Sequence, residues 1–140
     1  MIDGNTSLDT SFVLRMLVSQ PVSQFRLASR FLEEQRSAQA SVHVSDLVLA
    51  EAYFALLSFY QLPKTDALAA LAAFIRHSGV TVTPVASAVL ALPNLASAKP
   101  GFVDRLIHGE SHDNGRTLVT FVKAAKKLPA TLVLPDSTDG

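Results

Sequence analysis

Short extended segments recur between runs of helical apolar spacing, and this alternation restricts the fold of the chain more than any other feature. Residues 5–8 (NTSL), 41–44, 80–83, 117–121 and 131–134 read as strands, with Val42 and Val44 the clearest two-residue alternation. Helical spacing runs over 12–18, 23–36, 45 to about 59, 63 to about 76, 86–92, 102–114 and 123–128. In the second of these, Phe25, Ala28, Phe31 and Leu32 share one stripe. The punctuation agrees. Pro21 breaks the first run, Ser45 is a good N-cap, Pro63 opens a helix, and Gly79 and Gly115 stand where helices end. Strands alternating with helices imply an α/β chain with a mostly parallel sheet of about five strands, covered on both faces.

At 140 residues the chain is expected to form one domain, 1–140, with a loose tail, PDSTDG, at about 135–140. Twelve basic and 12 acidic side chains leave no overall field for a nucleic acid, so any such partner would need a local patch. The absence of cysteine excludes disulfides, thiolate nucleophiles and cysteine-ligated metals. The start, MIDGNTS, has neither the basic nor the apolar part of a signal peptide, which points to the cytoplasm. Residues 78–98 carry no charge, but Pro84, Pro93 and Asn94 interrupt them, so a strand and a short helix are expected and not a membrane span. A hydrophobic share of 49% beside only 17% charged residues implies apolar surface that meets a partner.

Three carboxylates stand out against this background. Asp9 lies where the first extended segment gives way to a helix, a place where open α/β sheets bind ligands. Asp9, Thr10 or Ser11 could equally cap that helix. Glu51 is the only charge in LVLAEAYFALL and shares a stripe with Leu47 and Phe54, so it is expected against apolar neighbours. Asp104 in FVDRLIHGE lies two after Phe102 and three before Ile107, on or beside a buried stripe. A salt bridge or a cap would account for each acid singly, whereas together they make a donor set for Mg²⁺ or Mn²⁺. The fitting chemistry is phosphodiester hydrolysis by a metal-activated water, which needs no Ser, Cys or Lys nucleophile. No Gly-rich phosphate loop, His-Glu zinc motif or Gly-x-Ser-x-Gly elbow is present to support other enzyme classes.

LDTSFVLRML near the start, VSDLVLAEAYFALLSFYQL in the middle and GFVDRLIHGESHDNGRTLVTFVKAAKKLP later resemble the PIN-domain nucleases, and among them the VapC-like toxins of type II toxin–antitoxin pairs. The resemblance covers nearly the whole chain. It implies a PIN-like three-layer α/β/α fold and a metal-dependent endoribonuclease that is the toxin of its pair, with Mg²⁺ or Mn²⁺ as cofactor. Asp9, Glu51 and Asp104 would be catalytic and metal-binding, with Ser11 and Thr120 in support. RNA would be the substrate, and the partners a cognate antitoxin and a second copy in a homodimer.

The pattern departs at Val122, where such proteins carry a fourth acid, and at Ser11, where Asn is usual. His108, four residues after Asp104, is a compensating candidate if it is not structural. Arg15 and Lys123 are the basic residues best placed to contact RNA; Arg105, Arg116, Lys126 and Lys127 are further candidates. Val122 leaves a second reading open, a catalytically impaired PIN-fold module that binds RNA or protein.

Overall fold

The computed structural model describes residues 5–135. The N-terminal four residues and all of the expected tail beyond Pro135 lie outside this range. Strand β1 (Asn5–Ser7) leads into helices α1 (Thr10–Val18) and α2 (Val22–Ser37). Strand β2 (Ser41–His43) is followed by α3 (Asp46–Ser58), α4 (Lys64–His77), α5 (Pro84–Leu90) and α6 (Phe102–Asp113). Strands β3 (Leu118–Thr120) and β4 (Thr131–Val133) close the order. Two tight 3-10 turns, Leu95–Ser97 and Lys123–Lys127, stand where a loop and a last helix were expected.

The expected central sheet of about five strands does not form, and the PIN-like three-layer architecture is corrected with it. Instead, β1 pairs with β2 and β3 with β4, both in parallel, as two separate two-stranded ladders among the described residues. Residues 80–83 contribute only one bridge: Thr81 accepts from the Val44 amide at 2.9 Å and donates to the Val42 carbonyl at 2.7 Å. The reason lies in β1. A central parallel strand is buried on both faces and needs continuous apolar residues, whereas Asn5 and Ser7 are exposed and the inward Thr6 hydroxyl is buried without a partner among the described residues. Three-residue strands also offer too few ladder bonds to hold a wide sheet.

Helices therefore carry the structure. Val13 of α1, Leu49 and Leu56 of α3 and Leu71 of α4 are almost wholly buried beside Val44, which follows β2. Burying each such side chain is worth roughly 1.5–3 kcal/mol. Tyr53 and Phe102 join α3 to α6 edge to face, their rings 5.1 Å apart. Local signals set the helix starts: Ser45 caps α3 as the sequence predicts, its Oγ accepting from the Val48 amide at 3.2 Å, whereas α5 starts at Pro84, two residues earlier than expected, where Thr83 Oγ1 accepts from the Ala86 amide at 3.1 Å. Gly115 adopts φ +69°, the left-handed conformation expected just beyond α6. Among the described residues no helix is long and apolar enough to cross a membrane.

Candidate functional site

The end of β1 delivers Asp9 to the N-cap of α1. Its Oδ1 accepts from the Phe12 amide at 3.0 Å and from the Ser11 hydroxyl at 2.7 Å. The Phe12 bond first and the Ser11 bond second hold the Asp9 carboxyl below the usual aspartate range, because both stabilise the charged form. Asp9 is thus a cap and an exposed, ionised carboxylate at once. The Ser11 hydroxyl and the Phe12 amide both bond to Oδ1.

Glu51 is tied to the residue that follows Asp9. The Thr10 hydroxyl donates to Glu51 Oε1 at 2.6 Å, joining the first turn of α1 to the middle of α3 across 41 residues of sequence. Glu51 does share its stripe with Leu47 and Phe54, but that stripe faces solvent: Leu47 is 72% and Phe54 52% exposed. The opposite side of α3, with Leu49, Ala52, Tyr53 and Leu56, makes the core. A helix apolar on nearly every side gives no spacing signal for which stripe turns inward, and the expected burial of Glu51 is corrected accordingly.

Asp104 is not drawn into this pair. It is exposed on the first turn of α6, and among the described residues it forms no three-membered metal-holding group with Asp9 and Glu51. Ile107, read as part of its buried stripe, is 49% exposed. Arg105, a further candidate for RNA contact, is half-buried and donates through Nε to the Pro100 carbonyl at 2.7 Å. His108 is buried and bonded through Nε2 to the Pro129 carbonyl at 2.7 Å, so it braces the segment before β4. The Thr120 hydroxyl accepts from the Val122 amide at 3.0 Å, shaping the bend after β3. Lys123 is exposed beyond that bend.

Beside Asp9 a cleft of about 590 Å³ opens between α1 and α2, lined by Ser11, Arg15, Gln24, Leu27 and Phe31 among others. Arg15 Nε donates to Gln24 Oε1, so the guanidinium is held on the wall of the cleft that contains Asp9. Gln24 escaped the reading of the sequence, and nothing in its spacing announces it. Thr10 was legible only as part of the Asp-Thr-Ser pattern.

Among the described residues no group of three or more His, Asp or Glu side chains is arranged to hold a metal ion. The three-acid centre implied by the resemblance is therefore not assembled. Glu51 is linked to the residue that follows Asp9 through the Thr10 hydroxyl, and a Mg²⁺ ion, which keeps several waters, can be bound through only one or two carboxylates. No family model, curated protein or solved structure matches the chain.

Proposed function

We propose that the chain is a Mg²⁺- or Mn²⁺-dependent endoribonuclease whose working acids are Asp9 and Glu51. The observation that carries this reading is the Thr10–Glu51 bond, which ties an acid of a distant helix to the residue that follows Asp9. A divalent ion bound there would lower the pKa of a water and offset charge on a phosphodiester. The protein side follows from the residues. Ser11 and the Phe12 amide fix the Asp9 carboxylate and keep it charged, Thr10 fixes Glu51, and Arg15 in the adjoining cleft offers a phosphate a cation. An RNA substrate would place this activity in the cytoplasm. The toxin role, the cognate antitoxin and the part of Asp104 rest on the resemblance of motifs alone.

A non-catalytic reading, in which the chain binds RNA or protein, is favoured by one specific observation: the acids do not gather as a trio and Val122 supplies no fourth. Cleavage of a mixed-sequence RNA with added Mn²⁺, with and without EDTA, separates the two. The nuclease reading expects EDTA-sensitive cleavage that Asp9→Asn and Glu51→Gln each abolish. RNA left intact by the parent chain but cut by Val122→Asp would establish the non-catalytic reading.

A further inference from the structure

We infer that the cleft between α1 and α2 holds the nucleotide next to the cut, and that Gln24 selects guanine or uracil there over adenine and cytosine. The inference rests on the RNA-cleaving reading for the chain to which that nucleotide belongs; the pocket itself follows from its walls.

The two helices supply unlike walls. On α1, Ser11 and Arg15 are four residues apart and share a face, and Asp9 caps the same helix. On α2, Gln24, Leu27, Ala28 and Phe31 follow the i, i+3, i+4, i+7 spacing, so one stripe passes from an amide to apolar groups. Phe31 is set edge to face against Phe12, their rings 5.8 Å apart, and Leu27 is 64% exposed. A ligand suited to such a cleft has an apolar face and a polar edge. Nucleobases have both, since they stack on aromatic side chains and are read along their hydrogen-bonding edges. The volume of about 590 Å³ lies within the range of small-ligand sites.

The charges give the nucleotide a direction. Six residues of α1 separate Asp9 from Arg15, about 9 Å along the helix axis, a span that one nucleotide bridges. The Asp9 carboxylate repels a bare phosphate, so a phosphate at that end comes with a divalent ion, and the next one meets the guanidinium of Arg15.

Arg15 also settles what Gln24 can read. A free glutamine amide donates and accepts together, and so pairs with the N7 and the amino group of adenine. Here Gln24 Oε1 accepts from Arg15 Nε. An arginine can only donate, so the amide must give it the oxygen, and the remaining Nε2 group can only donate. A donor meets the O6 of guanine or the O4 of uracil, whereas adenine and cytosine put an amino group in that place.

NMR titration of the isotope-labelled chain with GMP, UMP, AMP and CMP, in EDTA and again in Mg²⁺, follows binding without any need for cleavage. GMP and UMP are expected to bind about three- to tenfold more tightly than AMP and CMP, with shifts at Gln24, Leu27 and Phe31. Gln24→Leu is expected to remove that preference. Arg15→Met is expected to weaken all four and to move the preference towards AMP, because the released amide can again donate and accept. Phe31→Leu keeps an apolar side chain and is expected to weaken all four about fivefold or more without changing their order. The same spectra show that each variant folds. Absence of binding by all four in both conditions overturns the inference. So does binding without the base preference, a preference that Gln24→Leu leaves intact, or shifts confined to other parts of the protein. Failure of the nuclease reading is a separate result: binding with this preference beside uncut RNA supports the nucleotide pocket and overturns the catalysis alone.

Discussion

Replacing Thr10 by Val tests the link on which the candidate site depends, because Val keeps the β-branched shape and removes only the hydroxyl. The bond to Glu51 is short, at 2.6 Å, and its acceptor is charged. Buried bonds of that kind contribute about 1.5–3 kcal/mol. Glu51 is exposed and Thr10 half-buried, so solvent competes for both groups and the contribution falls to about 1 kcal/mol or less. For a chain of this size, that loss lowers the melting temperature by about 3 °C. The effect on a bound ion should be larger, since removing a group that orients a ligand costs about 10- to 100-fold in metal affinity or activity. Titration of Mn²⁺ by electron paramagnetic resonance gives the affinity directly, and the RNA assay gives the rate. Thr10→Ser retains the hydroxyl and should recover most of both. A Thr10→Val chain that binds Mn²⁺ as tightly as the parent would show that the bond fastens two helices and positions nothing.

Asp9 allows capping and charge to be separated. Asp9→Asn keeps a good cap and should change stability by less than about 0.5 kcal/mol, whereas Asp9→Ala should cost about 1 kcal/mol at neutral pH. Because the folded state depresses the Asp9 pKa, its charge-linked stabilisation is present above the ordinary value of 3.8 and disappears as pH falls through the lower folded value. The gap between parent and Asp9→Ala in urea unfolding should therefore narrow below about pH 4; a gap that widened there would contradict the assignment. Gly109 marks a close approach of α6 to α5: a Cβ there would lie 2.4 Å from Val85 Cγ1. Gly109→Ala should destabilise by about 1–3 kcal/mol despite the better helix propensity of Ala. Adding Val85→Ala should return part of that loss in thermal melts, and no return would place the clash elsewhere.

Helix positions were readable because their punctuation is local. Ser45, Pro63, Gly79 and Gly115 act through their own backbone geometry, and α3, α4 and α6 begin and end within a residue or two of where these residues place them. Strand positions were also readable, since β2, β3 and β4 fall inside the expected segments. Their assembly was not. Whether residues 80–83 add a full strand or a single bridge depends on what the neighbouring chain presents, and a polar β1 cannot serve as the middle of a wide parallel sheet. Reading five strands as one sheet assumed that pairing follows from number and order.

The same distinction governs the acids. Spacing placed Glu51 with Leu47 and Phe54, and Asp104 with Ile107, and both groupings hold as stripes on their helices. What spacing leaves open is which side of a helix faces inward when apolar residues surround it, and in α3 and α6 these stripes face solvent. A carboxylate on a solvated stripe incurs no burial penalty, so its presence there does not by itself call for a cation. The case for chemistry at Glu51 therefore passes from its setting to its partner. It stands on the Thr10 hydroxyl, which ties Glu51 to the residue that follows Asp9, a contact that Asp104 does not share.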